Sequence, residues 1–321
     1  MNRILFTSLL ILLAIKAFAQ DPIPVTIIRS EAVTGITEIN YTLPPSGFYN
    51  ISVSVSFDNG TSYTPIAAGE LSGYLEAVPS GPNTLTWTPG SAYMGLFHEQ
   101  TRIKIDALPS TFTDTRDNYT YRTVRIGSQV WMAENLKYLP SVVGPNIASN
   151  TEPYYYVYDY EGTDVTAAKA TGNYQNYGVL YNWPAALGAC PAGWNLPGDA
   201  QWTELINYVV SQEYPNSNVV NGAGNALKSC RQIDSPQGGE CNTSAHPRWN
   251  SDNTHHGLDA FGFSALPGGR LHYQSESVIN FREMGNYGQW WSSTQNQATT
   301  AWYRDMGKSY GSVSRSSYTK A

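Results

Sequence analysis

The chain has 321 residues and a net charge of −6; charged residues make up only 14% of it, while aromatics reach 13%. The acidic balance argues against nucleic acid as a partner, because nucleic-acid binders carry a basic footprint. The length suggests about two domains, and sparse charge with 23 Tyr and 9 Trp suits an exported β-rich protein.

At the N-terminus, Arg3 precedes the apolar run Ile4–Ile15, and Ala17-Phe18-Ala19 is a small-x-small cleavage signal. The run is too short to span a bilayer, and Lys16 interrupts it. This pattern predicts a signal peptide over residues 1–19, with no lipid-bearing Cys after the cut and no later transmembrane span. The processed chain is expected in the periplasm, at the cell surface or outside the cell, where disulfides are permitted.

Residues 21–108 show the alternation of short strands. Ile51, Val53, Val55 and Phe57 keep strict period two, and Ile36, Ile39, Tyr41 and Leu43 form a second set. Leu85 with Trp87 and Ile103 with Ile105 mark two more. Asp58-Asn59-Gly60 is a hairpin turn, because Asn and Gly tolerate positive φ. The spacing predicts an all-β sandwich of immunoglobulin or fibronectin type. Ser56–Tyr63 resembles a sialidase-type Asp-box, which is a structural turn; a propeller would need several. Leu108–Thr115, LPSTFTDT, reads as a linker, placing the domain break at residues 109–116.

From residue 117 to 321 strands mix with helix. Tyr121, Val124, Ile126, Gly127-Ser128, Val130 and Met132 read as a hairpin with Gly first in the turn. Tyr154, Tyr155, Tyr156, Tyr158 and Tyr160 lie in a long segment of low regularity. Trp202, Leu205, Ile206, Val209 and Val210 form one helical stripe, with Gly198 as N-cap, Asp199 in the first turn and Gln201 at N3. Further strands are expected at Phe261–Ala265, at Trp290–Thr294 and at Ala301–Arg304, giving an α+β module. Cys230 and Cys241 are expected to pair, closing a short loop worth on the order of 2–3 kcal/mol in the chain-entropy model. Cys190 is then the free thiol.

The candidate site residues come from aromatics and loop carboxylates. Trp249, Trp290, Trp291 and Trp302 are the candidates to stack on a sugar, with core packing as the alternative. Adjacent Trp290 and Trp291 point to opposite faces of a strand. Asp252 and Asp259, beside His255-His256, are the candidate oxygen ligands for Ca²⁺; a solvated turn held by Asx hydrogen bonds is the alternative. Their spacing matches no EF-hand loop, and adjacent His residues do not suit zinc. There is no G-x-S-x-G elbow, no P-loop and no dinucleotide-binding glycine motif, so the chain is not expected to be an enzyme.

Six blocks then converge: Asp117–Gly127 with Trp131–Leu136, Tyr177–Trp183, Cys190–Pro197, Gly262–Gly269 and Trp290–Thr294. Over about residues 113–321 the chain resembles the Fibrobacter succinogenes major paralogous domain family. The resemblance implies an exported protein typical of Bacteroidota and Fibrobacter surfaces. It also implies a fold related to C-type lectin-like domains and to formylglycine-generating enzymes. It implies no biochemical role. Members usually continue into a strand resembling G-F-S-V-R-C, whose Cys would lie near the Cys190 block; the resemblance thus implies that Cys190 lacks its usual partner here. The late cysteine pair of formylglycine-generating enzymes is absent. The expected function is a non-catalytic surface binding or adhesion module for carbohydrate or a cell-surface protein. A structural part of an envelope assembly is the alternative, and a polysaccharide-acting enzyme a further one.

Overall fold

The computed structural model describes residues 8–11, 15–16, 23, 25–29, 36–76, 78–93, 100–230, 249–275 and 278–321. The chain divides into two compact units, Phe18–Phe112, and Thr113–Ala321 together with Met1–Ala17.

The first unit is built on one long strand, Thr37–Ser56. Its first half pairs with Val25–Arg29 and Val78–Trp87, and its second half with Arg102–Pro109. The register against Val78–Trp87 skips between Leu43 and Phe48. Pro44 and Pro45 lie in that interval and have no N–H to give to a ladder, so the pairing breaks there. The alternation read from sequence is the core pattern: Ile39, Tyr41, Leu43, Ile51, Val53, Val55, Leu85, Trp87, Ile103 and Ile105 are buried together. At the end of the strand, the Ser56 hydroxyl donates to Asp58 Oδ1 at 2.6 Å and accepts from the Gly60 N–H at 2.7 Å. Asp58 also accepts from the Ser62 N–H and hydroxyl at 2.9 and 2.6 Å, and Asn59 and Gly60 take the positive φ the turn needs. The Asp-box pattern is thus spent on its own turn.

The expected linker is not a loop. Arg102–Pro109 and Thr111–Asp114 are both strands, and the division between units falls at Phe112/Thr113. Alternating Ile103, Ile105 and Ala107 carry the first strand into the core, which outweighs the turn-forming character of Pro109 and Ser110.

The second unit is mostly β, with small sheets and short helices. Thr111–Asp114, Tyr119–Ile126 and Gln129–Met132 form a small sheet, and the Gly127 turn was legible in sequence. Tyr287–Gln297, Thr300–Gly307 and Ser314–Thr319 run as an antiparallel meander in a larger sheet, beside the hairpin Gly268–Ser275/Val278–Met284. Two strands of the N-terminal segment complete these sheets. Ser8–Ile11 lies between Leu180–Tyr181 and Tyr287–Gln297, and Ile15–Lys16 pairs with Gln129–Met132.

The helix Asp199–Ser211 lays Trp202, Leu205 and Val209 into the core, with Ile206 packed against it. Val210 departs from the expected stripe and is 40% exposed, because the buried arc is narrower than the sequence spacing allows. Gln201 Oε1 accepts from the Gly198 N–H at 2.8 Å, the half of a capping box that a glycine cap can make. The rings of Trp131 and Trp202 sit 4.9 Å apart, with Phe263 5.6 Å from Trp131. The segment Pro140–Gly172, expected to lack regularity, holds one short helix, Val165–Lys169. Gly172–Tyr177 starts at its last residue and Trp183–Gly188 follows, and Asp164, Thr171 and Asn182 cap the three through their side chains. Among the described residues, no helix is long and apolar enough to cross a membrane.

Candidate functional site

Three of the four candidate stacking tryptophans belong to the core. Trp249, Trp290 and Trp291 are at most 1% exposed. Their indole N–H groups donate inward, to the Ala265 carbonyl at 3.1 Å, to Asn135 Oδ1 at 3.2 Å and to the Tyr181 carbonyl at 2.9 Å. Trp290 and Trp291 face opposite sides of their strand as expected, but protein covers both sides, so neither ring can meet a sugar. Trp302 is half-buried, and the Arg315 guanidinium lies 3.4 Å from its ring centre.

The two candidate calcium ligands are already engaged. Asp252 Oδ1 accepts from the Thr254 and His255 N–H groups at 2.9 and 2.6 Å. Burial works against its charge, but these bonds override it and hold the carboxyl below its ordinary range. Asp259 accepts from the Ser264 N–H and hydroxyl at 2.7 and 2.6 Å. Among the described residues, no three His, Cys, Asp or Glu side chains are placed to hold a metal. The bond from the Thr254 N–H to Asp252 is that of an Asx turn, whereas Asp259 instead clasps Ser264 five residues on.

Cys190 carries a free thiol, and burial pushes it up to about 12 against the opposing charge of Arg116. The upward shift disfavours the thiolate, the nucleophilic form of cysteine. No disulfide joins two described cysteines; Cys241 lies outside the described residues, and the expected Cys230–Cys241 pair lies with it.

The structure instead draws attention to Lys228, which sequence reading passed over. It follows the helix Ala223–Leu227 and is fully buried. Its ammonium donates to the carbonyls of His255, Gly307 and Tyr310 at 2.6, 3.0 and 3.0 Å, with the Lys308 carbonyl at 3.4 Å and the Trp249 ring 5.2 Å away. Burial pushes this group down to about 7, opposed by Asp252. Three short carbonyl contacts and an indole face are nevertheless what a cation requires. Lys228 thereby ties the turn at residues 307–310 to the loop carrying Asp252 and His255. His255 and His256 are drawn down by burial and then by Lys228, and neither His256 ring nitrogen has a hydrogen-bond partner among the described residues.

Above this anchor lies a shallow depression of about 270 Å³ lined by Glu283, Asn286, Tyr287, Lys308, Ser309 and Tyr310. Two turns make it. One joins Val278–Met284 to Tyr287–Gln297, with Glu283 and Gly285 at positive φ; the other follows Thr300–Gly307. The Lys308 N–H donates to the Asn286 carbonyl at 2.8 Å, locking one turn to the other. Asn250 Nδ2 donates to Asn286 Oδ1 at 2.8 Å, and Ser309 bonds to the Asp252 carboxylate. The Tyr287 and Tyr310 rings are 6.4 Å apart at 44°, and Tyr310 is 46% exposed. Gly307 makes their placement possible, since a Cβ there would meet Tyr310 at 2.6 Å and Tyr287 at 3.0 Å. The volume lies just below the roughly 300–1,000 Å³ of enclosed small-molecule pockets. An aromatic pair ringed by an amide, a carboxylate, an ammonium and a hydroxyl suits a flat polar ligand lying on the surface. The sequence signal was two tyrosines each set beside a Gly-containing turn, Gly285-Asn286-Tyr287 and Gly307-Lys308-Ser309-Tyr310.

A family model described as the Fibrobacter succinogenes major domain matches residues 124–321. No curated protein and no solved structure matches the chain.

Proposed function

The chain belongs to the Fibrobacter succinogenes major domain family, and from that premise we propose that it is an exported bacterial surface protein whose family domain binds carbohydrate without catalysis. In this reading an immunoglobulin-like sandwich carries a C-type lectin-like head, and the processed protein resides in the periplasm, at the cell surface or outside the cell. The observation that carries the reading is the pair Tyr287 and Tyr310 over a polar-rimmed depression. Tyrosine offers an apolar face to the C–H side of a sugar ring and a hydroxyl to its polar edge. Glu283, Asn286 and Lys308 supply acceptor and donor groups around that face. Because Asp252 and Asp259 are committed to backbone and Ser264 donors, binding is expected to be independent of Ca²⁺.

A glycan array probed with the processed protein, in calcium and in chelator, tests this. Binding retained in chelator and lost in Tyr310→Ala supports the reading. An array with no bound glycan, or binding that Tyr310→Ala leaves unchanged, overturns it. The second reading, a structural component of an envelope assembly, is favoured by the strand edges that removal of Ser8–Ile11 with the leader would leave unpaired.

A further inference from the structure

The strand Ser8–Ile11 holds a position that no other described segment fills. It pairs antiparallel with Leu180–Tyr181, through Leu10↔Tyr181 and Ile11↔Leu180. It pairs antiparallel with Gly268–Ser275, through Ser8↔His272 and Leu9↔Leu271, and parallel with Tyr287–Gln297 at Ile11↔Trp290. Without it, three groups of strands lose their connection. Among the described residues, Tyr155–Tyr156 with Leu180–Tyr181, the Gly268–Ser275 hairpin, and the meander from Tyr287 to Thr319 are joined in the ladder only through Ser8–Ile11. The residues on its flanks are core: Tyr181, Leu271 and Trp290 are 0% exposed and Leu180 is 3% exposed. Yet this strand comes from the stretch with the charged start, apolar run and cleavage signal of a removable leader. A chain cut before Gln20 keeps the slot and loses what fills it.

We infer that this slot is a strand-acceptor site, which in the processed protein takes an extended aliphatic segment donated by a different polypeptide. The inference rests on removal of residues 1–19 and not on the carbohydrate reading. Open strand edges present rows of N–H and C=O groups that template the addition of a further strand. The occupant seen in the uncut chain defines the chemistry: Ser8-Leu9-Leu10-Ile11 is uncharged, free of proline and aliphatic at consecutive positions. Consecutive aliphatics suit a strand covered on both faces, whereas a surface strand alternates with polar residues. A proline would remove a ladder donor. The leader would then hold the slot until export, and its removal would open it to the partner.

The test compares the chain with its leader retained and the processed chain purified from the exported fraction. The probe is a synthetic peptide of residues 8–16 carrying terminal lysines for solubility, with its Leu10→Pro form as control. In the processed chain alone, amides of Leu180, Tyr181, Leu271 and His272 should exchange at least about tenfold faster than in the leader-retained chain. The probe should bind one to one, restore that protection and raise the melting temperature by about 5 °C or more at roughly a hundredfold excess over Kd. The control peptide should do none of these. If the processed chain does not fold alone, recovery of a cooperative transition on adding the probe supports the inference, and no recovery overturns it. Amides already protected in the monomeric processed chain, with no probe binding, also overturn it. A concentration-dependent oligomer that protects the same amides and excludes the probe would assign the slot to a second copy instead of a different partner. Tyr310→Ala should leave probe binding unchanged, which separates this outcome from failure of the carbohydrate reading.

Discussion

Asp199 does two jobs that its place in the first turn of a helix only partly announced. Beside the helix N-terminus it accepts from Arg304 Nη1 at 2.7 Å and from Arg315 Nε and Nη2, both at 3.0 Å. Burial would raise its carboxyl, but the hydrogen bonds from Arg315 and Arg304 override it and hold it below the usual carboxylate range. Burial also draws Arg304 down against the pull of Asp199, so the bridge keeps a buried cation satisfied rather than adding much net stability. A folded-state pKa below the unfolded one means stability that is present above the unfolded value and lost as pH falls through the folded one. Urea midpoints should therefore fall with acidification in the wild type and fall less in Asp199→Asn. At neutral pH, Asp199→Asn should cost near the lower end of about 3–5 kcal/mol, since the carboxylate is partly exposed while Arg304 is not. Cys190 provides a second residue-scale prediction. Native protein should resist thiol reagents, and denatured protein should take one label per chain, on Cys190. Labelling of Cys230 or Cys241 would remove the expected disulfide.

Two short turns, 283–287 and 307–310, are the elements on which the proposed binding rests, and Lys228 fixes the second of them. Replacing Lys228 with Met leaves buried carbonyls without a donor, a loss of about 1–3 kcal/mol for each group that finds no water. Lys228→Met should lower the urea midpoint and speed amide exchange at Lys308–Tyr310. Glycan binding should weaken with it, because the floor of the depression loosens. Gly307→Ala separates packing from anchoring. The added methyl would press on both tyrosine rings, while the Gly307 carbonyl still accepts from Lys228 at 3.0 Å. Binding should therefore fall with a smaller change in stability than Lys228→Met causes. Calorimetry on the glycan selected by the array, with a urea titration of both variants, checks this.

At the scale of the whole molecule, the described residues form two hydrophobic cores, one around Trp87 and one around Trp131, Trp202 and Trp290. Each unit buries its own apolar set, so each is expected to unfold as its own cooperative step. Trp87→Ala should lower one calorimetric transition by about 3–5 kcal/mol and leave the other in place; Trp202→Ala should do the reverse. A single transition displaced by both substitutions would refute independent cores. Protease should also spare residues 108–115, because strands rather than an open linker cross the boundary.

The sequence by itself determined what depends on chain-local period. Alternation at Ile51, Val53 and Val55 places those side chains on one face of a strand wherever the strand goes. The spacing of Trp202, Leu205 and Val209 likewise sets a helix face, and six ordered blocks marked the family. It also contained the cap residues Asp164, Thr171 and Asn182, but the five- and six-residue helices they start are too short to show a helical period. Only the tertiary structure decided which aromatics meet solvent. Trp290 and Trp291 alternate as any strand pair does, and period two cannot say that both faces of their sheet are covered. The candidate site was beyond reach for a related reason. Lys228 lies 79 residues from Gly307, and Tyr287 and Tyr310 come together only because two turns are locked by the Lys308–Asn286 hydrogen bond. Convergence of that kind comes from long-range packing of the sheets, which no local repeat in the chain encodes. The same holds for Ser8–Ile11: its composition marked it as a removable leader, and only the arrangement of three other strands made it a strand of the sheet.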